Sequence, residues 1–203
     1  MAAVVSPSSP DTATYKGLAA IFGYRNQDGQ KQNTNCGQAA ACTMLTYRGK
    51  FTKDTTVPNP NMLTLEASYP PDNAGGLLGT SRKQIEAIFK AYDLKVATVS
   101  GQADLKTAIQ NNKPVVVMTS VTYQSLPVFR TPSVSMFGVT IPSISTPKEI
   151  PTAHWMVAYG YDDNKIYLTN YGAMTWEEFL GRWGSLIGKA IDMQSKGLVA
   201  TNS

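Results

Sequence analysis

A run of small and apolar residues near position 40 most constrains how this chain can fold. Residues 36–48 read CGQAAACTMLTYR, with three consecutive alanines followed by Met44 and Leu45, and Gly49 comes directly after the run. Alanine is the strongest helix former and glycine is common just past a helix end, so the run predicts a helix. Because this helix is apolar on most sides, other elements must cover it. The sequence therefore predicts a domain built around one buried helix.

The segments after this helix predict a mixed domain. In chain order, the patterns predict an irregular connection over 51–80, a helix over 81–92, a strand over 94–100, a helix over 102–112, a strand within KPVVVMTSV, a hairpin within VSMFGVTI, hairpin strands over 154–160 and 165–169, and a helix over 175–183. Helices come mostly first and hairpin strands mostly last. This order is typical of an α+β fold in which helices pack on an antiparallel sheet.

Composition and charge narrow the class of protein. The 203 residues suit one domain with a sizeable core, and 42% hydrophobic residues argue against a disordered chain. The net charge is +4 with the basic residues scattered, so we expect no nucleic-acid partner. No apolar run approaches the roughly eighteen residues of a membrane span, so we expect no membrane partner. Two cysteines and one histidine predict neither a disulfide scaffold nor a zinc site.

The first residues differ in composition from the rest. Residues 1–14, MAAVVSPSSPDTAT, are rich in serine, proline and threonine, without a basic stretch followed by a long apolar run. They do not resemble a secretory signal peptide. We therefore predict a flexible tail or linker over 1–14 and a single domain over 15–203. We expect the protein to be cytoplasmic or to be delivered by a specialised secretion system.

Cys36 and His154 are the residues best suited to nucleophilic chemistry. Cys36 opens the alanine-rich helix, where free backbone N–H groups and the helix dipole favour a thiolate. Cys42 lies inside the same helix without that advantage, so we expect a buried, unreactive thiol there. His154 is the sole histidine, and a pKa near neutrality makes it the candidate general base. A lone histidine beside Trp155 also fits a purely structural role in the core.

Two amide side chains complete the candidate site. The predicted hairpin lays the start of its first strand beside the end of its second, so His154 and Asn170 should come together. An amide oxygen at Asn170 would hold the imidazole in the required tautomer, although an asparagine there also fits a turn. Gln30, six residues before Cys36, would donate to a developing oxyanion together with the Cys36 backbone N–H. Gln32 is a rival for that role.

Together these segments resemble the papain-like cysteine peptidases, and more closely their bacterial branch of bacteriocin-processing, double-glycine-cleaving peptidases. Gln30 followed by NCGQAAACTML resembles the nucleophile segment, and HWMVAYGYDD resembles the segment that carries the base. The third residue of the family falls sixteen positions after the histidine, which is Asn170 here. The downstream F-x3-W helix is matched by Phe179 and Trp183. The chain departs from the family at Gln38, where proline is frequent, and in a long 121–153 segment.

The resemblance implies a papain-like fold, in which a helical lobe carries the nucleophile helix and packs on an antiparallel sheet. It implies Cys36 as nucleophile, His154 as base, Asn170 as orienter and Gln30 as oxyanion donor, with no cofactor. The implied activity is that of a cysteine endopeptidase acting on a protein or peptide substrate, with cleavage after glycine.

Two other functions remain open at this stage. The same thioester chemistry serves an amidase or acyltransferase that acts on peptidoglycan or on glutamine side chains. A non-catalytic binding module with the same fold is the third hypothesis, which the complete set of catalytic residue types argues against. The polar first residues also fit a bacterial toxin or effector domain, and a toxin would have a cognate inhibitor or immunity protein as a partner.

Overall fold

A computed structural model of the chain describes residues 1–31, 34–72, 79–123, 134–136, 139–141, 150–184 and 193–203. Residues 1–120 and 153–203 form one compact unit, and residues 121–152 form a second. The first unit contains the candidate residues Gln30, Cys36, His154 and Asn170. Gln32, the rival oxyanion donor, lies outside the described residues.

The described elements are five α-helices and eleven strands, numbered in chain order. The helices are α1 Cys36–Tyr47, α2 Pro60–Ser68, α3 Arg82–Ala91, α4 Gly101–Gln110 and α5 Trp176–Trp183. The strands are β1 Ala3–Val5, β2 Lys16–Gly17, β3 Ile21–Gly23, β4 Leu94–Ser100, β5 Val115–Tyr123, β6 Val134–Met136, β7 Val139–Ile141, β8 Ile150–Tyr161, β9 Lys165–Leu168, β10 Gly172–Thr175 and β11 Lys196–Asn202. Among these helices none combines the length and apolar character that a membrane span requires.

Helix α1 is the predicted buried helix. Every residue from Cys36 to Thr46 is buried, as expected for a helix without a polar face. Its C-terminal end follows the predicted pattern, since Gly49 adopts a φ of +73°, a left-handed conformation that favours glycine. At its start, the Asn35 side chain makes no capping hydrogen bond, and its Nδ2 atom donates to the Asn26 carbonyl oxygen and to Glu66 Oε1.

Helix α2 corrects the prediction of a wholly irregular connection over 51–80. Asn59 caps it by accepting hydrogen bonds from the backbone N–H groups of Asn61 and Met62, and Pro60 occupies the first helical turn. Asparagine at the cap followed by proline is a recognised helix start, so the signal was present in the sequence. The density of proline and asparagine around it obscured that signal.

The large sheet is built mainly from antiparallel pairs. Its described strands run in the order β10-β9-β8-β5-β11-β4, and β2 pairs with β8 outside that order. The pairs β10–β9, β9–β8, β11–β5, β11–β4 and β2–β8 are antiparallel. In the second unit, β6 and β7 form the antiparallel hairpin that VSMFGVTI predicts. The α+β prediction with an antiparallel sheet is confirmed.

Strand β8 lies between two hydrophobic cores, and its side chains alternate between them as a strand requires. Trp155, Val157 and Tyr159 belong to the core that surrounds α1. Met156 and Ala158 belong to the core formed with α4 and α5. The strand that carries the candidate base is therefore held on both faces.

The first residues contribute a strand to the fold. The sequence predicts a flexible tail over 1–14, whereas Ala3–Val5 pairs with β3 and Ala2 is buried. Strand β3 leads into a short 3₁₀ helix, Asn26–Asp28, which precedes the loop that carries Gln30. The apolar residues of AVV, set in a polar stretch, are too few to predict a strand from local pattern alone.

Candidate active site

The Cys36 thiol lies at the first position of α1, where that helix meets β8. The backbone N–H groups of Trp155, Gly37 and Cys36 itself lie near its sulfur and favour the thiolate. Burial raises the pKa of the Cys36 thiol, and these three N–H groups lower it by a smaller amount. The sequence predicts stabilisation of the thiolate by the helix start. The structure shows that stabilising contribution and also a larger, opposing effect of burial.

The contact with Trp155 brings the histidine segment to the nucleophile. Because the Trp155 nitrogen is joined by a peptide bond to His154, the backbone of His154 lies within one residue of the Cys36 sulfur. His154 is buried, with 5% of its surface exposed. Burial lowers the pKa of His154 to about 4, so its imidazole is neutral at physiological pH. A neutral imidazole is the form that accepts a proton from a thiol.

A chain of hydrogen bonds also links α1 to β8. The Trp155 indole N–H donates to the Thr80 carbonyl oxygen at 2.7 Å. The Thr80 hydroxyl donates to Oε1 of Gln38 at 2.8 Å, and Gln38 Nε2 donates to the Tyr69 carbonyl oxygen at 2.7 Å. Thr80 is also packed against Gly37, where a Cβ atom would overlap its side chain. Thr80 therefore holds the cysteine-bearing helix and the histidine-bearing strand together.

Gln38, the position at which the chain departs from the family pattern, makes hydrogen bonds that a proline could not make. It is fully buried, and both ends of its amide are bonded, one to Thr80 and one to Tyr69. A proline there would supply neither bond. The sequence identified Gln38 as unusual, but its partners lie 31 and 42 residues away and have no local signature. Trp155 and Thr80 were not predicted as site residues for the same reason.

Asn170 lies beside the part of β8 that follows His154. Its neighbour Thr169 bonds twice to Val157, through Thr169 N–H to the Val157 carbonyl at 2.9 Å and Val157 N–H to Thr169 Oγ1 at 3.0 Å. Asn170 itself has a φ of +67°, which ends the strand. Its Nδ2 atom is buried and makes no hydrogen bond within the described residues. The hairpin is as predicted, and the orienting role of Asn170 stays a prediction.

Gln30 lies in the loop between the 3₁₀ helix and α1. Its backbone N–H donates to Glu66 Oε2 at 3.0 Å, and the residue as a whole is exposed. The backbone is thus anchored while the side chain is accessible to solvent. Its role as oxyanion donor stays a prediction.

Cys42 provides the contrast to Cys36. Both thiols are free, and Cys42 has no exposed surface. The pKa of Cys42 is raised well above its ordinary value, first by burial and then by the negative charges of Glu66 and Asp28. Cys36 is therefore the thiol better placed for chemistry.

Comparison with known proteins identifies the family. Residues 22–190 match the family described as "Peptidase_C39 like family". The chain belongs to this family. As a C39-like protein it is a cysteine peptidase of the papain-like kind, which confirms the class of enzyme and the fold predicted from the sequence.

Two solved structures are similar to this chain. One, a putative C39-like peptidase from Bacillus anthracis, has 15% sequence identity and a TM-score of 0.58, covering 93% of this chain and 98% of that one. The other is the peptidase domain of Streptococcus ComA, a bi-functional ABC transporter involved in a quorum sensing pathway. It has 11% identity and a TM-score of 0.49, covering 89% of this chain and 98% of that one. No curated protein matches the chain.

Proposed function

We propose that this C39-like peptidase cleaves a protein or peptide through a thioester on Cys36, with His154 as general base. The observation that carries the proposal is that the Trp155 backbone N–H faces the Cys36 sulfur. It brings the backbone segment that carries His154, the sole histidine of the chain, to within one residue of the thiol at the head of α1. It also supports a defined direction of attack, because that N–H occupies one side of the sulfur.

Because burial favours the neutral forms of Cys36 and His154, it supports a first step in which His154 acts as a general base. His154 takes the proton of the Cys36 thiol as the sulfur bonds to the substrate carbonyl carbon, and the carbonyl oxygen becomes an oxyanion. As the intermediate collapses, the carbon–nitrogen bond breaks and the imidazolium protonates the departing amine. Water then attacks the thioester, giving one proton to His154. The carbon–sulfur bond breaks, the acid product leaves, and the proton returns to the sulfur.

Asn170 and Gln30 have supporting roles in this scheme. The Asn170 amide orients the imidazole so that the correct nitrogen faces the thiol, which its position beside β8 supports. The Gln30 side chain and the Cys36 backbone N–H donate to the oxyanion, and the position of Cys36 at the start of α1 supports the second donor.

The family resemblance favours a substrate with glycine before the cleaved bond.

The role as a toxin or effector, with an inhibitor protein that covers the site, is a hypothesis from the sequence alone. An inactive Cys36→Ala protein used as bait in extracts of the producing cell would retain such an inhibitor. Recovery of no specific partner would count against it.

Mass spectrometry of cell-extract proteins provides the direct test of the proposal. Wild-type protein and the Cys42→Ala variant should create the same new protein termini, and Cys36→Ala should create none while keeping its fold by circular dichroism. The sequence around the new termini would also reveal the residue before the cut. Undiminished cleavage by Cys36→Ala would disprove the assignment of the nucleophile. Products from cell wall with none from proteins would indicate the amidase alternative.

A further inference from the structure

A buried carboxylate lies close to the proposed site and takes no part in the scheme above. Glu66, on α2, has 4% of its surface exposed. Its two oxygens accept three hydrogen bonds, from the Gln30 backbone N–H at 3.0 Å, the Lys31 backbone N–H at 3.2 Å and Asn35 Nδ2 at 2.6 Å. A buried carboxylate costs free energy unless such donors satisfy it, so this arrangement stabilises one particular loop conformation.

The three donors come from the two segments that would form the oxyanion hole. Gln30 would provide the side-chain donor, and Asn35 directly precedes Cys36, whose backbone N–H would be the second donor. We propose that Glu66 is a positioning residue that holds these two segments in register and so shapes the oxyanion hole. This inference rests on the proposed function, because it assigns Glu66 a role in the same hydrolysis.

The surroundings of Glu66 support a fixed geometry. Gly29 lies so close that a Cβ atom there would overlap Glu66 Oε1. Asn35 Nδ2 also donates to the Asn26 carbonyl oxygen at 3.0 Å, so the asparagine links the carboxylate to the 3₁₀ helix. The Asn35 Oδ1 atom, the side-chain acceptor that could cap α1, is buried and makes no hydrogen bond within the described residues. Asn26, Gly29 and Asn35 therefore lie around or bond to the group that holds the carboxylate.

Helix α2 is itself anchored to that loop. The backbone N–H of Asn59 donates to the Asp28 carbonyl oxygen at 2.6 Å, and Met62 and Leu65 are fully buried in the core around α1. The carboxylate of Glu66 is thus presented from a rigid helix rather than from a mobile loop. Small displacements of an oxyanion donor are costly, because its hydrogen bond must match the position of the developing charge.

The substitution Glu66→Gln tests the role. It keeps the shape of the side chain but replaces one acceptor oxygen by an NH₂ group, which would face a donor N–H. We expect kcat to fall about 10- to 100-fold with KM changed less than about twofold, comparable to partial loss of one oxyanion donor. Glu86→Gln is the matched control, since Glu86 pairs with Arg82 on α3 and contacts none of the three donors. It should keep wild-type kcat.

Two reagents distinguish a defect in the oxyanion hole from a defect in the reactivity of the thiol. Alkylation of Cys36 by iodoacetamide forms no oxyanion, so its rate and its pH profile should be unchanged in Glu66→Gln. Peptide aldehydes form a tetrahedral adduct with an oxyanion, and those ending in glycinal or leucinal should bind about 10- to 100-fold more weakly to the variant. A parallel fall in the alkylation rate would show a general structural defect and overturn the inference. Aldehydes that bind the two proteins equally, or that do not bind the wild type, would also overturn it.

A milder variant covers the case in which Glu66→Gln does not fold. Asn35→Ala removes one donor to Glu66 and leaves the two backbone N–H bonds in place, so it should weaken aldehyde binding by a smaller factor, again with unchanged alkylation.

The outcomes of these experiments also distinguish failure of this inference from failure of the proposed function. If wild-type protein creates no new termini, the proposed function fails, whereas the aldehyde and alkylation measurements still test the hole. If wild-type protein cleaves and Glu66→Gln cleaves equally well, only the role of Glu66 fails.

Discussion

At the scale of single residues, burial has a larger effect on the candidate catalytic groups than the helix start or the peptide N–H groups. Burial raises the pKa of the Cys36 thiol and lowers the pKa of His154 to about 4, so both groups are uncharged near neutral pH. A charged pair would need enough mutual attraction to offset the loss of hydration of both ions. Burial therefore favours the neutral thiol and the neutral imidazole over a thiolate–imidazolium pair.

The lowered pKa of His154 predicts a pH-dependent stability. In the unfolded chain the imidazole has its ordinary pKa of 6.5, whereas in the folded protein it is about 4. As pH falls below 6.5 the unfolded chain binds a proton that the folded protein does not, so stability is complete above that pH and is lost toward pH 4. The loss between pH 7 and pH 5 should be about 2 kcal/mol.

Urea unfolding at the two pH values measures this effect. The variant His154→Gln serves as the comparison, because it keeps every carboxylate of the chain and removes only the imidazole. Its free energy of unfolding should decrease less than that of the wild type. Equal decreases in the two proteins would show that the folded-state pKa of His154 is close to its ordinary value.

At the scale of elements, the contact between α1 and β8 depends on a glycine. Gly37 lies in the first turn of α1, and a Cβ atom there would overlap the Thr80 side chain. Thr80 in turn accepts the indole hydrogen bond of Trp155, next to His154. Displacing Thr80 would therefore disturb both the nucleophile helix and the strand that carries the base.

The pair Gly37→Ala and Gly181→Ala tests this contact. Alanine normally stabilises a helix relative to glycine by about 1 kcal/mol, and Gly181, on α5, has open space where its Cβ would lie. We expect Gly181→Ala to raise stability by about 0.5–1 kcal/mol without changing activity. Gly37→Ala should lower stability by about 1–3 kcal/mol and reduce kcat. Thermal melting and kinetics on a cleaved peptide measure both, and a stabilised, fully active Gly37→Ala would refute the contact.

At the scale of the whole first unit, a buried aspartate connects distant parts of the chain. Asp162, at the turn between β8 and β9, accepts hydrogen bonds from the backbone N–H groups of Asp11, Asn164 and Lys165 and from the Tyr167 hydroxyl. The bond to Asp11 spans 151 positions of sequence. One carboxylate therefore shapes the hairpin that carries His154 and also holds the early part of the chain against it.

Substitution of Asp162 by alanine should affect the whole unit. Four donors would lose their acceptor at a position with 2% exposure, so we expect a loss of about 3–5 kcal/mol in the free energy of unfolding. The exposed neighbour Asp163→Ala provides the control and should change stability by less than about 0.5 kcal/mol. Chemical denaturation of the two variants measures the difference. Similar stabilities would mean that solvent replaces the hydrogen bonds of Asp162 at little cost.

The sequence by itself determined those features that depend on neighbouring residues. Helix α1 and its burial, the hairpin of β8 and β9, and the Thr175 cap of α5 follow from local propensity, periodicity and capping chemistry. The candidate nucleophile and base were also found this way, because the chain has few residue types suited to those roles and their flanking motifs are distinctive.

Only the tertiary structure decided what depends on distant residues and on burial. The contact of Trp155 with the sulfur, the Thr80 contact and the Glu66 carboxylate join segments 31 to 119 positions apart, and no local pattern specifies such partners. The charge state of the thiol was likewise undetermined, because hydration is lost only when the surrounding chain has folded over it. The sequence thus supplied the reacting groups, and the fold decided their surroundings, since hydrogen bonding and burial are properties of the assembled chain.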